Sequence, residues 1–357
     1  MVRRAHPTLL HIHVDTWHVI GMTAERTLST DANLTRYRAG SRAGHYESFF
    51  VRANHPSRPL AFWIRYTLFS PRGHPEEAIG ELWAIYFDGE TGKHVAVKQE
   101  VPIAHCTFSA SEFHVDIGDA FLRPGTLNGS AASHAHAISW KLSFAGTAAP
   151  LLLLPPALYR AALPKAKSLV SLPFATFQGS LAVDRAVIDI SGWIGSQNHN
   201  WGSKHTDHYA WGQVAGFDNS AESFLEIGTA RLKIGPFWTP FMTLLVLRHR
   251  GQDLALNSLR QSLRARASFT YFDWRFRSEN DAVRIDGRIT APREAFVGLR
   301  YFNPPGGIKQ CLNSKLASCE LTLTNKRSAA SEVLSTQQRA AFEILTDDAA
   351  HGIALRV

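Results

Sequence analysis

Only three cysteines occur in the 357 residues: Cys106 stands alone, and Cys311 and Cys319 are eight positions apart. That is no disulfide framework, and buried thiols in a reducing compartment fit better than bridges, with a Cys311–Cys319 pair the one bridge left open. Long hydrophobic runs are missing too. The longest, such as Ala148–Pro156, fall far short of the roughly 20 residues a membrane span needs. The N-terminal Met1–Asp15 stretch carries basic residues, but His11 and His13 break its apolar part, so it makes a poor secretory signal. Together these absences predict a soluble, cytoplasmic protein.

Charge is sparse as well. Charged residues make up 19% against 45% hydrophobic, a globular rather than disordered balance. The net charge of +8 is spread along the chain with no basic run interleaved with aromatics, so nucleic acid is not an expected partner. A positive surface leaves peripheral contact with anionic membrane lipid open; nothing fixes an oligomeric state. The chain also lacks a Gly-X-Ser-X-Gly elbow, a P-loop, a dinucleotide fingerprint and a His-Glu-X-X-His helix, which argues against a standard esterase, nucleotide enzyme or zinc protease. No cofactor is expected. His199, His205 and His208 with Asp207 are ligand types that suit zinc or iron, but their spacing matches no specified site. The alternating pairs His11/His13 and His134/His136 are coincidences that seventeen histidines make common. No metal is expected either.

What is present is strand texture. Segments such as His45–Ala53, Leu60–Phe69 and Glu81–Phe87 are aromatic and β-branched, six to ten residues long, and punctuated by Gly, Pro and Asp. Leu259–Arg266 is the one convincing helical stretch beyond a turn near Pro155-Pro156. With no alternation of helix and strand, a doubly wound sheet is disfavoured. The expected fold is all-β: two consecutive antiparallel β-barrels packed side by side, since closure removes exposed edges. The expected organisation is an N-terminal wrapping segment over residues 1–45, a first barrel over 46–150, a proline-marked connector over 151–173, and a second barrel over 174–357.

One stretch is unusual. Ile190–Asp218 holds three of the nine tryptophans, three histidines and five glycines. Gly195 and Gly202 bracket a polar hexapeptide, so the backbone turns sharply there or lies against something. Amides, imidazoles and indoles at this density suggest a loop lining a cavity; the alternative is a polar knot that satisfies buried backbone groups. Trp193, Trp201, Tyr209 and Trp211, with Trp63 and Tyr66, are available as pocket walls. Trp63 lies mid-strand, where filling a core is the favoured reading.

These residues also carry a resemblance. Gly192-Trp-Ile-Gly-Ser-Gln-Asn-His-Asn-Trp-Gly followed by Tyr209-Ala-Trp-Gly-Gln resembles the loop of the lipocalin-like superfamily of carotenoid hydratase, tocopherol cyclase and AttH-like proteins. Leu163–Lys165, Phe177-Gln-Gly-Ser-Leu, Tyr301-Phe-Asn-Pro-Pro-Gly-Gly and Cys311-Leu-Asn-Ser-Lys-Leu-Ala-Ser-Cys are similar too, so the likeness spans roughly residues 45 to 325. It implies two lipocalin-like barrels with an apolar substrate held near their junction, and enzymes that hydrate or cyclise isoprenoids or close rings pericyclically. His199, Asn200 and Trp201 occupy the motif, while Asn198 stands where relatives often have a carboxylate. An amide cannot protonate an alkene, so Asp207, Glu81 or protonated His199 would have to serve, with Asp207 preferred. A concerted cyclisation, which needs only shape and oriented hydrogen bonds, survives the substitution. The expected activity is therefore cyclisation, isomerisation or hydration of an elongated isoprenoid or polyketide-derived substrate. His199 and Asn200 would supply polar contacts, and Trp193, Asn198, Trp201, Tyr209, Trp211, Trp63 and Tyr66 the binding surface. The rival expectation is a carrier that binds lipid and releases it unchanged.

Overall fold

A computed structural model of the protein describes residues 31–133 and 136–357. His11, His13 and His134, and most of the expected wrapping segment, lie outside the described residues. The part that is described, 31–44, runs against the first barrel, where Thr35 and the backbone of Arg36 and Tyr37 bond the Glu47 carboxylate.

Two large antiparallel sheets account for the molecule. In the first, His45–Asn54, Leu60–Ser70, Ile79–Asp88 and Val95–Pro102 form a meander, and Trp193–Gly202 is inserted between His45–Asn54 and Ala166–Val183. The sheet continues through His136–Ala145 and Thr126–Ser133, and it nearly closes on itself. There, Lys98 on the far edge exchanges two hydrogen bonds with the Ser133 hydroxyl, at 2.8 Å through its N–H and 2.7 Å through its carbonyl. The curvature comes from Ala166–Val183, an 18-residue strand with register shifts between Val170 and Leu172 and between Pro173 and Ala175, irregularities that bend a strand and raise its twist. The second sheet runs from Gln252–Leu256 through Met242–His249, Ser220–Arg231, His208–Phe217, Ser331–Thr346, Ile308–Asn325, Val283–Thr290 and Asp273–Glu279 to Arg266–Thr270.

The passage from one sheet to the other falls between Gly202 and His208, not within 151–173 as the prolines suggest. The Pro155-Pro156 stretch marks a crossover inside the first sheet: Leu151 and Leu152 pair with Val170 and Leu169, and the chain then returns as Ala166–Val183. Residues 174–202 therefore belong to the first barrel. Proline stops a strand wherever an N–H is needed, which reports a break in pairing and not a change of sheet. The expected helix is present as Leu259–Arg264, closed at its start by a capping box between Ser258 and Gln261.

Each barrel has its own interior. Phe49, Phe62, Trp140, Phe177 and Trp193 fill the first, and Leu225, Ile227, Trp274, Ile289 and Phe342 the second. A third apolar cluster lies between them, with Phe50, Trp63 and Trp83 from the first sheet against Leu299, Tyr301 and Leu345 from the second. His45–Asn54 shows why both faces of one strand must be buried. Because side chains alternate, Phe49, Val51 and Ala53 enter the first barrel. Phe50, Arg52 and Asn54 point to the other, where Arg52 Nε donates to Gln213 Oε1 at 2.8 Å and Asn54 Nδ2 to the Lys315 carbonyl at 2.7 Å.

Candidate functional site

The motif stretch is a strand, not a loop. Trp193–Gly202 is paired along both edges, with His45–Asn54 on one side and Ala166–Val183 on the other. Its glycines answer the close approach of those neighbours. A Cβ on Gly195 would stand 1.8 Å from the Arg52 carbonyl oxygen, and one on Gly202 2.2 Å from that of Lys165. Only Ser203–Asp207 remains to connect to the next strand.

A cavity of about 320 Å³ lies at the junction of the barrels, walled by both sheets and by the 153–169 crossover. One end is aliphatic: Leu153, Leu154, Leu158 and Leu169 face Leu232, Met242 and Leu244. The other end is aromatic and polar, with Tyr46, Trp63 and Arg65 from the first sheet and Tyr209, Trp211, Glu226, Tyr301 and Glu343 from the second.

Of the expected site residues, Asn198, His199, Asn200, Tyr209, Trp211 and Trp63 line this cavity. Two of their polar atoms, Asn200 Oδ1 and Trp63 Nε1, are buried without a hydrogen-bond partner among the described residues. Such atoms are costly to leave unpaired, and a bound ligand is the natural partner. His199 has nothing to offer a substrate, however. Its Nδ1 meets the Ala32 carbonyl at 2.7 Å, its Nε2 meets Glu47 Oε1 at 2.8 Å, and the ring stacks on Phe49 at 4.2 Å. Burial alone would raise the Glu47 pKa, but hydrogen bonds from His199 and His45 override it and hold the carboxyl well below the usual range. The pair is a fixed internal strut.

Four expected residues lie elsewhere. Trp193 packs into the first barrel beside Phe62, because odd positions of its strand face inward there. Tyr66 is in the same interior, donating to the Phe121 carbonyl and accepting from Trp140 Nε1, both at 2.8 Å. Trp201 is buried with Ala32, Tyr159 and Leu169. Asp207 sits in a separate shallow depression, paired with Lys204 at 2.6 Å and accepting from the Lys233 N–H at 3.0 Å. Burial opposes its ionisation, yet Lys204 and that N–H lower its pKa. An ionised, paired carboxylate outside the cavity cannot be its acid.

A buried carboxyl able to hold a proton near neutrality does line the cavity: Glu226. It projects into the cavity from Ser220–Arg231, with Oε1 accepting from Trp211 Nε1 and Oε2 from Gln213 Nε2, each at 2.8 Å. Burial pushes its pKa up to about 7 against the opposing effect of those two donors and of Arg52. Asn198 acts through this group: its Oδ1 accepts from Gln213 Nε2 at 2.8 Å, and Gln213 Oε1 is held by Arg52 and, at 2.7 Å, by the Ser196 hydroxyl. The Asn198 amide of the first barrel thus aims the glutamine that orients Glu226 in the second.

Arg65 is the second residue that sequence reading missed. Its guanidinium is buried at the cavity wall, 4.4 Å over the Tyr301 ring, and bonds through Nε and Nη2 to a single partner, the Ser48 hydroxyl, at 2.8 and 2.6 Å. Among the described residues no acceptor reaches its Nη1. Burial works against its charge, but Tyr301, Glu81 and Glu343 raise its pKa. Nearby, the Lys315 ammonium is fully buried, paired with Glu343 Oε1 at 2.7 Å, and lies 5.7 Å over Trp63 and 5.5 Å over Trp211. His205, stacked on Tyr46 at 3.9 Å, is kept neutral by burial, its pKa falling to about 3. A signal for Glu226 and Arg65 did exist: each is a lone charge in mid-strand among apolar residues, in Phe-Leu-Glu-Ile and Trp-Ile-Arg-Tyr. Such charges are buried only when something holds them.

No known protein-family model matches the chain. The uncharacterized proteins Rv0493c and MT0513 of Mycobacterium tuberculosis are each 27% identical to it over 296 residues, covering 82% of this chain and 84% of theirs. Among solved structures, a candidate AttH protein from Nitrosomonas europaea superposes with a TM-score of 0.51 at 11% identity, over 85% of this chain and 91% of its own. CghA in complex with Sch210972 also gives 0.51 at 11% identity, over 85% and 89%. At such identities the likeness establishes the lipocalin-like, AttH-type fold.

Proposed function

We propose that the protein is an enzyme that cyclises or isomerises an elongated apolar substrate, isoprenoid or polyketide-derived, in the junction cavity. The observation that carries this reading is the pairing of a long aliphatic end with Arg65 and Glu226 at the other, two buried charged groups with hydrogen-bonding capacity left over. The structure of CghA with Sch210972, on the same fold, supports a small-molecule role for such a cavity.

Electrostatics separates the candidate reactions. Aromatic walls stabilise a cationic intermediate by about 0.5–2 kcal/mol per contact. Here Lys315 already lies over Trp63 and Trp211, and Arg65 over Tyr301. Glu343 neutralises Lys315, but Arg65 bonds only the neutral Ser48 hydroxyl among the described residues. At an effective dielectric constant of 20, a carbocation roughly 4 Å from its guanidinium meets a repulsion of about 4 kcal/mol, more than the rings offset. Hydration or cyclisation by alkene protonation is therefore disfavoured. A substrate carbonyl at this end gains instead. Arg65 Nη1 donates to its oxygen, the oxygen withdraws electron density from the conjugated chain, and the barrier to ring closure or enolisation falls. Glu226, half protonated near neutrality, either donates a hydrogen bond to the same oxygen or exchanges the α-proton in an isomerisation. Asn200 supplies a further polar contact, and the aliphatic end folds the tail into a reactive conformer.

The test is incubation of the full chain with an organic extract rich in isoprenoid and polyketide lipids, followed by mass spectrometry of bound and released species. Wild type should yield a product of unchanged mass and altered retention, and Glu226→Gln or Arg65→Met should cut its formation on the order of a hundredfold. Recovery of unaltered ligand alone would make the protein a carrier, and a product heavier by one water would restore hydration.

A further inference from the structure

Three segments bring the cavity to the surface. Leu158–Lys167 supplies Leu158 and Pro164 to its wall, Arg231–Met242 supplies Leu232 and Met242, and Asn257–Arg266 supplies Leu259 and Ser262. Leu259 both lines the cavity and is 68% exposed, which marks the mouth. Six of the nine exposed large apolar side chains of the described residues fall in these segments: Leu163, Ile234, Phe237, Trp238, Leu259 and Leu263. Ile234, Phe237 and Trp238 are carried on the small hairpin of Lys233–Ile234 with Phe237–Trp238, and Leu259 and Leu263 are one turn apart on the helix.

The charges of the same segments are all of one sign. They hold Arg160, Lys165, Lys167, Arg231, Lys233, Arg260, Arg264 and Arg266, and neither Asp nor Glu. Lys167 is turned onto the Ala161 and Pro164 carbonyls and Arg231 stacks on Trp238 at 4.4 Å. Among the described residues none of the other six forms an ion pair. Elsewhere exposed charges are mixed in sign: Arg277 is neutralised by Asp286 and Arg288 by Asp273, while Arg185, Arg300 and Arg327 stand singly. Solubility alone would not concentrate unpaired cations and bare aromatics around one opening.

We propose that this rim docks on an anionic lipid bilayer, so that the cavity's ligand passes between membrane and protein without crossing water. Lys165, Lys233, Arg260 and Arg264 meet lipid phosphates while Phe237, Trp238, Leu259 and Leu263 enter the boundary with the acyl chains, the division of labour of an interfacial anchor. Trp238, with an apolar ring and one N–H, suits the headgroup level. The cavity's role in holding an apolar ligand supplies the purpose, but binding to lipid can be measured without turnover, so failure of one reading leaves the other standing.

The test is sedimentation of the full chain with vesicles of phosphatidylcholine alone or mixed in equal parts with phosphatidylglycerol. It should pellet with the mixed vesicles only and be released by high salt. Each basic residue near an anionic surface contributes about a fivefold change in partitioning, so reversing two charges in Arg260→Glu with Arg264→Glu should weaken binding more than tenfold. Phe237→Ser with Trp238→Ser should weaken it similarly, and Val187→Ser, in an exposed hairpin of the first barrel, should not. All of these sites are exposed, so melting temperatures should stay within a few degrees of wild type. Absence of binding to mixed vesicles, or equal binding by all variants, would overturn the proposal. So would lipid-free dimers that the Phe237→Ser, Trp238→Ser variant dissociates, which would make the rim an interface between copies.

Discussion

Glu226 behaves as a switch of protonation state whose direction can be worked out. Its folded pKa of about 7 lies above the ordinary value of 4.5. Folding therefore favours the protonated form, and the group costs stability as pH rises from about 4.5 through about 7, on the order of 3 kcal/mol in all. Glu226→Gln should abolish that loss, so the variant should melt higher than wild type at pH 8 and close to it at pH 4.5, as calorimetry at the two pH values would show. Turnover that needs the acid form should fall as pH rises through about 7. Glu47 acts in the opposite sense: its lowered pKa gives stability above the ordinary carboxylate range that is lost in strong acid. At this scale the sequence was readable where chemistry is local. Asn200 and Trp211 were found in the motif and do reach the cavity. Glu226 and Arg65 were not found, because what makes them matter is supplied by other strands: Trp211, Gln213 and Arg52 for Glu226, and Ser48 and Tyr301 for Arg65.

At the scale of elements, the strand Trp193–Gly202 decides most. It carries Asn198 and Asn200 to the cavity, Trp193 to the first interior and His199 to its strut, and it does so while paired on both sides. Gly195→Ala would push a methyl into the Arg52 carbonyl. We expect a loss of roughly 3 kcal/mol or more, visible as a fall in the urea midpoint, with a disturbed Arg52–Gln213 contact behind it. The Gly and Asn here read as a loop because those residues punctuate turns in isolated sequence. In the fold the glycines admit neighbouring backbones, and the amides bond across the junction. Strand existence was legible from aromatic and β-branched segments punctuated by Gly, Pro and Asp, and the helix was legible as Leu259–Arg266, found as Leu259–Arg264. Sheet membership was not, since Ala166–Val183 pairs with His136–Ala145 before it and Trp193–Gly202 after it, and nothing in its own residues names either.

For the whole molecule, the junction makes two barrels one thermodynamic object. Arg52 is completely buried between them and bonds Gln213 and Asn54, while Asn54 reaches the Lys315 carbonyl. Pulling the barrels apart would expose the Phe50, Trp63 and Tyr301 cluster and strand a buried guanidinium, a penalty of several kcal/mol. Equilibrium unfolding in urea should therefore follow one transition, coincident by tryptophan fluorescence and far-ultraviolet circular dichroism; a clear intermediate would mean that one barrel survives alone.

The relay from Asn198 through Gln213 to Glu226 has a practical corollary for anyone who wishes to redirect the chemistry. Its first amide and its terminal carboxyl sit on strands of different barrels, divided at Ser203–Asp207, so joining one homologue's first barrel to another's second at that point would leave each without its counterpart. Altered specificity should come more readily from matched changes made on both sides of the seam than from exchanging either side wholesale.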